Sequence, residues 1–180
     1  MNPSIKSKSQ TARKAELDTN LFLISPNGTE TGPVRETLSF KRSPSVQLTF
    51  VANRYARHVS QVYNREFGIG VMDWRMLVML AREPSSSVSH ASRTIGIDKA
   101  AVSRCVKRLE SMGLIEAPPS MANKSRKKWH LTTAGGKLHD EILTVSLSQQ
   151  STLLDGFSES EVGILNDLLA RMLCNLNDPE

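Results

Sequence analysis

From residue 45 onward apolar residues recur at helical spacings; before that point they do not. Leu48, Val51, Tyr55, Val59 and Val62 are separated by three, four, four and three positions, the stripe that one face of an amphipathic helix needs. This helix is predicted to end at Phe67-Gly68. A second is predicted from about Val71 to Arg82, with Gly70 at its N-cap and Trp74, Leu77, Val78 and Leu80 apolar. Pro84 cannot continue it, and Ser85 to Val88 reads as a loop. The first 44 residues carry breakers at Pro26-Asn27-Gly28, Gly32-Pro33 and Ser43-Pro44. With no sustained period they read as a mostly disordered, basic arm whose one apolar patch, Leu21-Phe22-Leu23-Ile24, could dock on the body as a short segment.

After the loop, Ser89 to Ile95 reads as a short helix opened by a Ser N-cap and closed at Gly96, and Asp98 caps another helix of about Lys99 to Met112. Val102, Val106 and Leu109 share one face of the latter at spacings of four and three. The opposite face presents Lys99, Ala100, Ser103, Arg104 and Lys107. That mixture suits a DNA major groove, where Arg bonds guanine through two donors, Ser bonds bases or phosphates, and Ala lets a thymine methyl approach. Asp98 also places a helix N-terminus, with Lys99 beside it, where a phosphate can sit. Gly113 ends this helix and Leu114-Ile115-Glu116 reads as a strand leading to Pro118-Pro119. Lys124 to Leu131 reads as the returning strand, with Lys124, Arg126 and Lys128 on one side and Lys127 with Trp129 on the other. A helix-turn-helix followed by a basic hairpin is a winged helix, so the expected class is mainly α with a small β-wing. Downstream, Leu138, Ile142, Val145 and Leu153 predict a long helix. Ser158-x-x-Glu161 is a capping box before a last helix carrying Val162, Leu165, Leu168, Leu169, Met172 and Leu176.

Charge sharpens this picture. The net charge of the 180 residues is +5, but residues 93 to 128 hold 9 basic and 3 acidic side chains, for +6, and residues 129 to 180 hold 2 and 8, for −6. A concentrated basic window followed by an acidic segment suits a local anion-binding surface. Aromatic residues at 5% leave few side chains for stacking on unpaired bases, which disfavours broad single-strand binding. Two Cys cannot build a disulfide scaffold, and Cys105 and Cys174 read as buried small hydrophobes. His58, His90, His130 and His139 show no paired ligand spacing, so no metal is expected. There is no G-x-S-x-G, no H-E-x-x-H, no phosphate-binding glycine loop and no carboxylate cluster, so neither an enzyme nor a cofactor is expected. No run of 18 apolar residues occurs and the opening residues lack the apolar stretch of a secretory leader, so a soluble, cytoplasmic protein without membrane contact is expected.

The run Gly68 to Gly136 resembles the MarR family of bacterial transcriptional regulators. The similarity lies in Gly68-Ile69-Gly70-Val71-Met72-Asp73-Trp74-Arg75-Met76-Leu77, Gly96-Ile97-Asp98-Lys99-Ala100-Ala101-Val102-Ser103-Arg104, Leu109-Glu110-Ser111-Met112-Gly113-Leu114-Ile115 and Leu131-Thr132-Thr133-Ala134-Gly135. With flanking helices it covers residues 45 to 176, inside a domain of 45–178. The resemblance implies a DNA-binding lobe of about 70–135 between dimerisation helices of about 45–67 and 132–176. It also implies a homodimer reading a pseudo-palindromic double-stranded operator, a repressor bound at the nucleoid, released by a small phenolic or other anionic aromatic effector. The implied DNA contacts are Ser89, Arg93, Lys99, Ala100, Ser103, Arg104, Lys107, Lys124, Arg126 and Lys127. Tyr55, His58, Trp74 and Arg75 are candidates for an effector pocket, although Trp74 on the apolar side of its helix also reads as core. Three departures stand out. Ala91-Ser92 replaces the family's Leu-Ala, Asn123-Lys124-Ser125 replaces its Asp-x-Arg in the wing, and Ala117-Pro118 replaces a basic pair. Wing contacts thereby shift toward residues 124 to 128. The competing reading is a winged-helix module for protein contacts, which usually lacks a basic recognition face.

Overall fold

The computed structural model describes residues 17–25, 35–118 and 127–176. The chain divides into two compact units, Met1–Ala52 and Asn53–Glu180.

In the first unit Asp18 opens a 3-10 turn, Thr19–Phe22, by accepting from the Asn20 N–H at 3.0 Å. Strand β1 (Leu23–Ile24) pairs antiparallel with β2 (Thr37–Leu38), Leu23 opposite Leu38. Arg42 donates to the Leu23 carbonyl, and the Phe40 and Phe50 rings meet edge to face at 5.2 Å. Within the arm read as mostly disordered, 19–24 and 37–38 thus form short elements, and the apolar patch Leu21 to Ile24 lies in the first of them. Elements of two to four residues are too short to carry a hydrophobic period, so the pattern could not announce them.

Helix α1 (Pro44–Phe67) stops at Gly68, whose φ of +68° is a left-handed conformation that favours glycine. The predicted stripe is only partly inward. Val59 and Tyr63 are buried, Tyr55 and Val62 half-buried, and Leu48 and Val51 exposed. In the second unit α2 (Val71–Arg82) has the predicted bounds, and Gly70 caps it while Asp73, three residues on, accepts the Gly70 N–H at 2.9 Å. Trp74, Met76, Leu77, Met79 and Leu80 are buried in one core with Val59, Tyr63, Ile69, Val102, Val106, Leu109, Ile115, Trp129 and Ile142. Val78, the other apolar residue named for this helix, is 37% exposed.

The supposed loop after Pro84 contains a strand. Ser85 turns the chain with φ of +66°, and β3 (Ser86–Ser87) pairs with β5 (Lys128–Leu131), Ser86 opposite Trp129. Helix α3 (Val88–Ile95) is capped by Ser87, which accepts the His90 N–H at 3.2 Å, so the capping serine is not Ser89. Gly96 closes it at φ of +73°. Helix α4 (Lys99–Ser111) begins at Asp98, whose carboxylate accepts the Ala101 N–H at 2.8 Å. Val102, Val106 and Leu109 are buried as their spacing requires. Strand β4 (Ile115–Glu116) completes a three-stranded antiparallel sheet in the order β3-β5-β4, with Ile115 opposite Leu131. Thr132 caps the long helix α5 (Thr133–Leu153). The capping box at Ser158 and Glu161 forms in both directions ahead of α6 (Glu159–Leu176). No residue of α6 is buried. The architecture is mainly helical with a small antiparallel wing, a winged helix-turn-helix. No helix of the described residues is long and apolar enough to cross a membrane.

Candidate nucleic-acid interface

Two turns of α4 and the start of β5 form the walls of an open cleft of about 410 Å³. Its apolar side is Val88, Val106 and Trp129, and its polar rim is Ser103, Lys107, Glu110 and Lys127. Trp129 is 5% exposed and serves as the floor. The Lys127 ammonium lies 5.1 Å from the Trp129 ring centroid and 3.9 Å from Glu110 Oε1. Lys99, Ala100, Arg104 and Lys107 project exposed from the same helix, with Ser103 half-buried among them. Capping by Asp98 is the local reason that Lys99 and Ala100 stand free on the first turn.

The helix carrying these groups is anchored by a buried acid. Asp73 on α2 has no solvent exposure, and it pairs with Arg108 on α4, whose Nε donates at 3.1 Å and whose Nη2 makes a second contact. The Cys105 thiol lies 3.3 Å from the same carboxylate. An ion pair spanning 35 residues thus ties the first helix of the lobe to the face that would read DNA. A second tie joins α2 to α3: His90 Nε2 donates to Glu83 Oε2 at 2.5 Å, and that hydrogen bond holds the Glu83 carboxyl below its usual range. At the site of the Ala91-Ser92 departure, Ala91 is fully buried and the Ser92 hydroxyl donates to the Ile97 carbonyl at 2.6 Å. That bond fastens the turn between α3 and α4.

Of the expected contacts, the structure brings Ser103, Lys107 and Lys127 to one cleft and leaves Lys99, Ala100 and Arg104 exposed along α4. Ser89 is half-buried in the first turn of α3, and Arg93 is exposed in its last turn. Lys124 and Arg126 lie outside the described residues. Sequence reasoning missed Glu110, although it follows Ser103 and Lys107 at spacings of four and three and so shares their row.

The four effector candidates do not converge. Trp74 and Arg75 line a second cavity, about 250 Å³, with Val78, Met79, Arg82, Thr94 and Ile95. Neither Tyr55 nor His58 lines it. Tyr55 packs half-buried against the core, where burial raises its pKa, and His58 is exposed with Nε2 2.7 Å from Gln149 Oε1. Trp74 itself is a core residue, edge to face with Tyr63 at 6.1 Å and stacked on His139 at 5.3 Å. Among the described residues no three His, Cys, Asp or Glu side chains are placed to hold a metal ion.

The cysteines differ from one another. Cys105 is buried as expected, and burial pushes its thiol up to about 11. Cys174 is exposed, contrary to its reading as a packed hydrophobe, on a helix that has no fully buried residue. A disulfide reagent at pH 8 is therefore expected to titrate Cys174 at once and Cys105 only on unfolding. Rapid release of two equivalents from the folded protein would contradict this.

The fold and the cleft define a winged helix-turn-helix protein, and comparison with known proteins gives the family. The MarR family model matches residues 67–121. A MarR/EmrR family transcriptional regulator from Acinetobacter sp. ADP1 is 31% identical, with 77% of this chain aligned to 98% of that one at a TM-score of 0.71. YybA of Bacillus subtilis strain 168, an uncharacterized HTH-type transcriptional regulator, is 26% identical over 124 residues, which are 67% of this chain and 83% of YybA. The S. aureus MepR–DNA complex shares the fold, with a TM-score of 0.65 at 22% identity, 77% of this chain and 100% of that one being covered. The chain belongs to the MarR family of transcriptional regulators.

Proposed function

We propose that this protein is a sequence-specific double-stranded DNA-binding repressor in which α4 enters the major groove and the wing follows the flanking backbone. The observation that carries this reading is the convergence of Ser103 and Lys107 from α4 with Lys127, the residue just before β5, on one cleft. Arg104 and Ala100 are exposed beside it on the same helix. In MepR the same fold is seen with DNA. Arg104, Ala100 and Ser103 read bases. Lys99, Lys107 and Lys127 meet phosphates, as do Ser89 and Arg93 of α3 and Lys124 and Arg126 of the wing. Repression follows from occupancy of a promoter.

The test is equilibrium binding to a duplex across a salt series, followed by selection of bound sequences from a random pool. Each phosphate neutralised contributes roughly −0.9 to the slope of log K against log salt, so affinity should fall steeply. No detectable binding at low salt would end the DNA reading and leave the protein-contact module in its place. Arg104→Ala is expected to weaken selected-site binding by about 1–3 kcal/mol and relax preference at one base position. An unchanged selected sequence would remove Arg104 from base reading.

The DNA-binding form is a homodimer on this reading, so the operator is pseudo-palindromic. Support comes from α6, which exposes Ile164, Leu168, Met172, Leu173 and Leu176, and from Leu143 and Leu147 on α5. Rows of exposed apolar side chains mark an association surface. The cavity lined by Trp74, Arg75 and Arg82 together with Val78, Met79 and Ile95 suits a small anionic aromatic effector that releases the protein from DNA. Binding of an aromatic acid that is unaffected by Arg75→Ala would place that effector elsewhere.

A further inference from the structure

We infer that Glu110 sets the selectivity of this interface by holding Lys127 away from DNA of the wrong sequence. The inference rests on the DNA-binding reading of the same cleft. Glu110 completes the row Ser103, Lys107, Glu110 along α4 and lines the cleft with Lys127 and Trp129. It is an acid placed where the proposal puts a polyanion. The other two acids of the basic window are employed elsewhere: Asp98 caps α4, and Glu116 lies 3.3 Å from His130 Nε2. Glu110 has Lys127 as its ion-pair partner, at 3.9 Å.

Lys127 is thereby held from two sides, by the Glu110 carboxylate and by the face of Trp129. The side chains of Lys127 and Glu110 are 32% and 45% exposed, so the pair is partly screened. Such a pair is weak, strong enough to oppose capture of Lys127 by a lone phosphate and too weak to withstand a well-docked duplex. Breaking that tie penalises phosphate-only binding. At the selected site the base contacts of α4 compensate for that penalty, so the ratio of specific to non-specific affinity rises.

The experiment measures binding of the full-length protein to a fluorescent random-sequence duplex and to a selected-site duplex across a salt series. It compares wild type, Glu110→Gln, Lys127→Met and the double variant. Glu110→Gln is expected to bind the random duplex severalfold more tightly at low salt, with a slope steeper by about one phosphate contact. Its gain on the selected duplex should be smaller. In the Lys127→Met background the Glu110→Gln gain should disappear. A gain that persists without Lys127 overturns the inference, because Glu110 would then act by direct repulsion alone. Equal or weaker random-duplex binding by Glu110→Gln, or a changed base preference, also overturns it. The DNA reading stands in each of those cases as long as wild type binds, whereas a wild type that binds no duplex removes both. Thermal melting of the variants checks that both partly exposed substitutions leave the fold intact.

Discussion

Asp73→Asn should lower the stability of the protein by about 3 kcal/mol, within the range for breaking a buried ion pair. The wild-type carboxylate is fully buried, accepts the Gly70 N–H at 2.9 Å and Arg108 Nε at 3.1 Å, and has the Cys105 thiol at 3.3 Å. An amide keeps the shape but removes the charge and turns one acceptor into a donor facing other donors. The loss stops short of the largest values because the Arg108 side chain is 52% exposed and can return to water. Arg108→Met should be at least as damaging, since it leaves a carboxylate with no exposure beside neutral donors alone. Urea denaturation measures both, with an unchanged m-value expected. A double-mutant cycle gives the coupling directly. Losses below about 1 kcal/mol for both single variants would show that α2 and α4 are held together by their apolar contacts instead. Both variants should also weaken DNA binding while leaving every proposed contact residue in place, since the pair positions α4.

The second large effect is expected at Gly135. A Cβ built there would lie 1.9 Å from the Leu114 carbonyl oxygen and 2.9 Å from its carbon. The obstacle is backbone, which cannot swing aside as a side-chain tip can. Around it, Leu114 accepts the Thr132 N–H at 3.0 Å, the Thr132 hydroxyl donates to the Gly113 carbonyl at 2.7 Å, and the Gly135 N–H returns to that hydroxyl at 3.1 Å. The first turn of α5 is thus fastened onto the chain leaving α4. Gly135→Ala must separate the two, with a loss of about 3 kcal/mol or failure to fold, the upper end of overpacking. The neighbouring Gly136 is the control. It sits in the same helix with nothing within 4 Å of an added Cβ, so Gly136→Ala should stabilise by about 0.5–1 kcal/mol through the better helix propensity of alanine. Similar melting temperatures for the two variants would contradict the close approach at Leu114.

Much of the winged helix-turn-helix and of the last helix was legible because the signals are local. The Gly70 and Pro84 limits of α2, the Asp98 cap and Gly113 end of α4, and the box at Ser158 and Glu161 each act within a few residues. The row Ser103–Lys107 follows from helical periodicity once those ends are known. The effector candidates fared worse for the opposite reason. Tyr55 and His58 on α1 share with Trp74 and Arg75 only a residue type suited to an anionic aromatic, and side-chain type carries no information on which helices meet. Glu110 was passed over because an acid in a basic window reads as an exception, and its meaning depends on Lys127, a residue of another element.

By itself, then, the sequence determined the helices, the turn between α3 and α4, the place of the basic charge and the resemblance to one family. Each of these is encoded by neighbours or by a period. Tertiary structure alone decided that Ser86 and Ser87 form a strand against β5, that Asp73 finds Arg108, that Gly135 must carry no side chain, and that α6 buries none of its apolar residues. The physical reason is common to all four. Pairing, burial and close approach join positions tens of residues apart in the chain, and no window of propensity, capping or periodicity spans that distance.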